Sequence, residues 1–179
     1  MASEDLPANG HGGPADPKPA LRRTLRAARV AFVAGLNSAE REALEAAVAA
    51  VLAAHLPPGI VAGYDAIGSE IGLHHVARAT LLPRVTGAAP LAFVDRQGRA
   101  ARPDIVLVPL LAVDRHGTRL GQGGGHYDRT LAALRADTAV LAVGVGWDVQ
   151  VIDALPAEPW DAPLDAVATP SGWRAFGRD

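Results

Sequence analysis

The sequence predicts an α/β protein: a three-layer α/β/α domain with a mostly parallel sheet and an N-terminal helical pair. Three observations carry that expectation. Residues 105–113 and 140–145 are nearly continuous in apolar side chains, the pattern of strands buried on both faces. A glycine-rich stretch and a helical pattern over 127–134 lie between them. Strand, loop, helix and strand of these lengths make a βαβ unit, with a right-handed crossover and a parallel pair. Before Pro57-Pro58, by contrast, the chain reads as two helices.

Each element has its own signal. Residues 1–16 are rich in Gly, Pro, Ala and Asp without hydrophobic periodicity, and are expected to form a disordered tail ahead of one domain over 17–179. Residues 18–32 place Leu21, Leu25 and Ala28 at helical spacing, with Lys18, Arg22, Arg23, Arg26 and Arg29 on other faces. Gly35 ends that helix. Asn37 or Ser38 can cap the next, with Glu40 and Glu42 in its first turn; it is expected to reach about His55 and stop before the prolines. Strands are expected at 60–64, 81–85 and 91–94, the last two joined by a turn containing Gly and Pro. The long apolar run 105–113 is read as one buried strand, followed by 140–145, a short helix at 148–155 and a last short strand at 166–168. No internal repeat and no second domain is visible.

Composition narrows the function classes. With 179 residues, 49% of them apolar, the chain can bury an ordinary core. A net charge of −2 provides no electrostatic footprint for nucleic acid. Cysteine is absent, which excludes disulfides, thiolate metal sites and a thiol nucleophile. The polar, acidic start lacks the basic and apolar regions of a signal peptide, and no apolar run is long enough to span a bilayer. A cytoplasmic protein, monomeric and without nucleic-acid or membrane partners, is the expectation.

The most informative stretch is 119–128, Arg-Leu-Gly-Gln-Gly-Gly-Gly-His-Tyr-Asp. Apolar strand, glycine turn, then helix is the layout of a phosphate cradle. Glycines let backbone N–H groups approach an anion, and the helix N-terminus adds a favourable dipole. Asp128 stands where it could hold Mg²⁺ beside a phosphate. The competing reading is a tight turn whose glycines only supply positive φ. In α/β sheets ligands bind beyond the carboxyl ends of the strands, and this loop leaves one of those ends.

Residues 103–131 (PDIVLVPLLAVDRHGTRLGQGGGHYDRTL) resemble the 5-formyltetrahydrofolate cyclo-ligases, also called methenyltetrahydrofolate synthetases. Three further stretches match in the same order: Lys18-Pro-Ala-Leu-Arg22, Ala66-Ile-Gly-Ser-Glu70-Ile71, and 155–169 (LPAEPWDAPLDAVAT). The resemblance covers nearly everything after residue 17. It implies an ATP- and Mg²⁺-dependent reaction. The formyl oxygen of 5-formyltetrahydrofolate attacks the γ-phosphate, ADP leaves, N10 closes the ring on the phosphorylated imidate, and phosphate departs from 5,10-methenyltetrahydrofolate. Such chemistry needs positioning and charge neutralisation more than a protein nucleophile.

The resemblance also implies roles. Lys18, Arg119 and Tyr127 would be catalytic. Lys18, Arg22, Arg119, Gly121, Gln122, Gly123, Gly124, Gly125, His126, Tyr127 and Asp128 would bind ATP. Glu70 and Tyr127 would bind folate, the Glu70 carboxylate accepting two N–H bonds from the pterin edge. Asp128 and Asp161 would hold Mg²⁺, with Asp165 the weaker candidate. The residues alone leave alternatives: Lys18 and Arg22, four apart on one helix face, also fit a solvated basic face; Tyr127 a core tyrosine; Asp161 and Asp165 turn residues; Glu70 the start of a helix. A non-catalytic folate- or nucleotide-binding homologue is the alternative function. The chain departs from the family pattern at Gln122, at His126, at Gly72, where aspartate is usual, and in a shortened folate-side segment over 70–102 that includes the brief 95–102 connection (DRQGRAAR).

Overall fold

A computed structural model describes residues 16–87 and 89–177; the expected tail lies outside these residues apart from Asp16. Two helices come first, α1 (Lys18–Ala34) and α2 (Ser38–His55). Asn37 and Glu40 close α2 with a reciprocal capping box: Glu40 N–H donates to Asn37 Oδ1 at 2.9 Å and Asn37 N–H to Glu40 Oε2 at 2.8 Å.

The strands are β1 (Val61–Ala62), β2 (Ala79–Arg84), β3 (Ala92–Val94), β4 (Ile105–Pro109), β5 (Ala112–Val113), β6 (Arg119–Leu120), β7 (Leu141–Val145), β8 (Ala166–Thr169) and β9 (Gly172–Ala175), with α3 (His126–Asp137) between β6 and β7. Seven strands form one sheet in the order β3-β2-β1-β4-β7-β8-β9. The contacts within β2-β1-β4-β7-β8 are all parallel. β3 and β9 are antiparallel edges.

Alternation along the central strands builds three layers. Ile105 and Leu107 of β4, Val143 and Val145 of β7, and Ala166 and Ala168 of β8 pack with Val48 and Leu52 of α2. The intervening Val106, Val108, Ala142 and Val167 pack with Leu131 of α3 on the other face. Side chains on a strand point alternately to opposite faces, so a strand covered by helices on both sides must be apolar throughout. The fold class, the βαβ unit and the helical pair therefore match the sequence reading.

Four local expectations are corrected. The apolar run 105–113 is two strands: β4 ends at Pro109, and β5 turns away to pair with β6 in a separate two-stranded hairpin. The backbone between them is satisfied by side chains, because Leu110 C=O accepts from Arg29 Nη1 and Gln150 Nε2. The helix expected over 148–155 is a single 3-10 turn, Asp148–Gln150. No helix follows Glu70; the chain passes through turns to β2. The edge strand β9 was not anticipated. Residues 95–102 form a tight turn in which Asp95 Oδ1 accepts from Gln97 N–H and Arg99 N–H, both at 2.9 Å. Among the described residues, no helix is long and apolar enough to cross a membrane.

Candidate active site

The sheet has a topological switch at β1, where the chain leaves β2 on one side and returns as β4 on the other. Crevices at such points, outside the carboxyl ends of parallel strands, are ligand sites. A cleft of about 790 Å³ opens there. Its wall includes Tyr64 after β1, Val85 after β2 and Pro109 at the end of β4, together with the glycine loop, the first turn of α3 and residues from 158–161.

The glycine loop fits its place through backbone geometry. Gly123 has φ +104° and Gly125, the residue capping α3, φ +63°. Other residues rarely adopt such values. A Cβ on Gly123 would lie 3.4 Å from the Arg22 guanidinium carbon, and one on Gly125 2.6 Å from Arg129 Nη1. Both glycines therefore serve conformation and close approach together.

Helix α1 supplies cations to the same cleft. Lys18 Nζ pairs with Asp161 Oδ2 at 2.7 Å, with side chains 8% and 16% exposed. Asp161 Oδ2 also accepts from Glu158 N–H at 2.8 Å, while Asp16 Oδ1 accepts from Lys18 N–H at 2.9 Å. Arg22 Nε donates to Gly121 C=O at 3.2 Å, and Arg26 Nη2 to Gln122 Oε1 at 2.6 Å. The basic face is thus docked on the cleft wall rather than solvated, Lys18 on Asp161 and Arg22 on the glycine loop.

Arg119 forms the floor. It is 7% exposed, and its Nη2 pairs with Asp128 Oδ1 at 2.8 Å. Its Nε has no hydrogen-bond partner among the described residues. Burial lowers the Arg119 pKa, opposed by the charges of Asp128 and Asp161. A buried cation with an orphaned donor is expensive, and an anion in the cleft would relieve that cost. Asp128 Oδ1 accepts a second bond, from Ala162 N–H at 3.0 Å. Tyr127 stands over the same floor. Burial, reinforced by the charge of Glu70 and opposed by Arg119, pushes its hydroxyl well above the ordinary tyrosine pKa, so it is a donor across the physiological range. His126 lies on the rim, 3.4 Å from Arg129 Nη2 through its Nδ1.

Glu70 closes the cleft on the opposite side. It is 7% exposed and accepts from Ile67 N–H at 3.1 Å and from Arg29 Nη1 and Gln122 Nε2 at 3.4 Å each. Arg29, in the sequence one of five cations on the first helix, stands behind this wall. It is 4% exposed and also donates to Ser69 Oγ at 3.0 Å and Leu110 C=O at 3.1 Å. It fixes the Glu70 carboxylate from behind, and its only sequence signal is its place on α1 seven residues after Arg22. Trp160, on the rim and 71% exposed, was likewise overlooked.

Lys18, Arg22, Glu70, Arg119, Gly121 to Gly125, His126, Tyr127, Asp128 and Asp161 all line this one cleft. Asp165 does not. Its Oδ2 accepts from Ala142 N–H at 2.7 Å and pairs with Arg135 at 2.9 Å, which fastens the starts of β7 and β8 at the other end of the sheet.

Comparison with known proteins points the same way. The model of the 5-formyltetrahydrofolate cyclo-ligase family matches residues 68–170. A 5-formyltetrahydrofolate cyclo-ligase of Escherichia coli (strain K12) is 48% identical over 71 residues, 40% of this chain. The match spans about 38% of that relative's length. The fold matches a 5,10-methenyltetrahydrofolate synthetase from Mycoplasma pneumoniae with TM-score 0.71 and 25% identity, covering 87% of this chain and 99% of the other. It matches the corresponding synthetase of Aquifex aeolicus with TM-score 0.73 and 28% identity, covering 92% and 96%.

Proposed function

Because the chain belongs to the 5-formyltetrahydrofolate cyclo-ligase family, we propose that it converts 5-formyltetrahydrofolate to 5,10-methenyltetrahydrofolate with consumption of ATP. The observation that carries this reading is the convergence of Lys18, Arg22 and Arg119 with the glycine loop on one cleft at the switch point.

The division of labour follows from the chemistry of each wall. Lys18, Arg22, Arg119 and the loop amides bind the triphosphate, and Arg119 brings the donor that lacks a protein partner. These groups offset charge that builds on the transferring phosphoryl group, which is where such reactions need help. Glu70, held by Arg29, accepts from the amino-pyrimidinone edge of the folate. Tyr127, protonated at neutral pH, donates to the formyl group or to a phosphate oxygen. The formyl oxygen takes the γ-phosphoryl group, ADP leaves, N10 closes the ring and phosphate departs.

Mg²⁺ fits the donor set. Asp128 and Asp161 spend Oδ1 and Oδ2, respectively, on protein donors. The second oxygen of each would be available to a hard cation such as Mg²⁺, which favours carboxylate oxygens. The ion would supply charge neutralisation.

The test is turnover. Purified protein with Mg-ATP and 5-formyltetrahydrofolate should generate the methenyl absorbance, and omission of ATP should abolish it. A folded protein that binds ATP without forming product would instead establish the non-catalytic binder.

A further inference from the structure

Away from the cleft, helix α2 and the segment that follows Glu70 meet at a cluster of three metal-competent side chains. Glu42 Oε1 lies 2.7 Å from His75 Nε2, and Glu42 Oε2 lies 3.1 Å from His74 Nε2. The two imidazole rings are 4.2 Å apart between centroids and tilted by 45°. One ligand atom from each of the three residues falls within 4.8 Å of the other two.

We propose that Glu42, His74 and His75 form a binding site for a divalent transition-metal ion of the zinc class. Two imidazoles and one carboxylate are a donor set that suits Zn²⁺ and its neighbours rather than Mg²⁺ or Ca²⁺. Both Nε2 atoms already face one carboxylate, so a cation entering between them would replace the N–H···O contacts with three coordinate bonds, each ring giving up its Nε2 proton to solvent or carrying it on Nδ1 instead. The remaining positions stay open to water, since Glu42 and His74 are half-exposed.

The surroundings hold His74 in place. A Cβ on residue 72 would lie 2.9 Å from His74 Nδ1, so Gly72 is what admits the ring. Behind it, Glu45 is 4% exposed, accepts from Gly72 N–H at 2.9 Å and pairs with Arg41 at 3.0 Å. Glu45 Oε2 sits 3.8 Å from His74 Nε2 and adds negative potential to the site. Glu42 and Glu45 share one face of α2, being three residues apart. The bound ion would pin the segment over 72–76 to α2, and that segment begins at the wall carrying Glu70.

The test uses the metal-free full chain titrated with zinc chloride alone, by calorimetry, with thermal unfolding in parallel. One Zn²⁺ per chain should bind and raise the melting temperature. His74→Ala/His75→Ala and, separately, Glu42→Gln should each weaken that binding by about tenfold or more and remove the thermal shift. His116→Ala, in an exposed turn elsewhere, and Asp128→Asn, in the cleft, should leave it unchanged. Equal zinc affinity in the double-histidine or Glu42→Gln variant would overturn the proposal, as would absence of binding to the wild-type chain. Circular dichroism of each variant separates loss of the site from loss of the fold.

Discussion

The Lys18–Asp161 pair joins the first turn of α1 to the loop before β8, across 143 residues of sequence, and should be both a strut and a working part. At 2.7 Å the attraction is about 6 kcal/mol for an effective dielectric of about 20. Desolvation of two ions takes back several kcal/mol, which leaves a coupling of about 2–3 kcal/mol. Lys18→Met removes the cation and leaves Asp161, among the described residues, with the Glu158 amide and the more distant charge of Arg119. We expect a stability loss of about 3 kcal/mol, the low end for a broken buried pair, since Asp161 retains some water. Turnover should fall by about a hundredfold, as for the loss of one preorganised electrostatic group. The double variant Lys18→Met/Asp161→Asn separates the roles. Urea unfolding should recover the coupling energy, whereas turnover should stay low. Additive stability losses would refute the strut. Recovery of turnover along with stability would show that Lys18 only holds the fold and does not act on phosphate.

Three further outcomes follow from the site. Gly123→Val puts a branched side chain at φ +104°, with its Cβ 3.4 Å from the Arg22 guanidinium carbon; the backbone cost is about 1–3 kcal/mol. ATP affinity measured by calorimetry should drop sharply, and unchanged affinity would return the loop to a simple turn. Asp128→Asn should raise the Mg²⁺ concentration needed for half-maximal turnover and reduce stability by about 1–3 kcal/mol, because Arg119 loses its charged partner while buried; an unaltered Mg²⁺ dependence would remove Asp128 from the metal site. The chain has two tyrosines, and burial raises the pKa of both Tyr64 and Tyr127. Their contribution is complete below the unfolded pKa of about 10. Above it the unfolded chain releases both protons while the folded chain keeps them, so stability should fall by about 1.4 kcal/mol per pH unit for each tyrosine. Ultraviolet titration should show tyrosinate appearing only as the chain unfolds, and ionisation at the ordinary pH with the fold intact would contradict the burial argument.

Some of the fold was legible because local signals agreed with tertiary demand. The apolar run from Ile105 to Val108 has the pattern of a strand covered on both faces, which it is, and Asn37, one of two capping candidates, opens α2 with Glu40. The end of β4 is marked by Pro109, which has no N–H to donate to a central ladder, although the apolar run continues straight through it. Leu110 to Val113 are all buried, yet they leave the sheet. What permits it is a set of distant donors, Arg29 and Gln150, that satisfy the Leu110 carbonyl. Strand β9 is four residues of mixed character, Gly-Trp-Arg-Ala, recruited to an edge by its pairing with β8. Of the site, the glycine loop stands out in the sequence, whereas the Lys18–Arg22 spacing fits a solvated basic face equally well and is drawn to the site by the family resemblance. The pairing of Lys18 with Asp161 and of Arg29 with Glu70 could not, because neither sequence separation nor residue type specifies a tertiary contact.

Helix α1 shows what a periodicity reading overlooks. Leu21, Leu25 and Ala28 recur at helical spacing, yet the buried residues of α1 are Lys18 and Arg29, while Leu21 and Leu25 are half-buried and Ala28 is exposed. A helix that merely closed a core would bury its leucines and keep its cations in water, because a buried charge costs more than apolar packing returns. Here the cations go inward to meet Asp161, Glu70, the Leu110 carbonyl and the glycine loop. The carboxylates offset the cost in the free protein, and the two buried cations sit about three turns apart on one helix, Lys18 at its start and Arg29 in its second half. One faces the proposed phosphate wall and the other stands behind the proposed folate wall. Such a helix is held in orientation by its charges rather than by its apolar stripe, so substituting Lys18 or Arg29 should disturb the cleft before it disturbs the core.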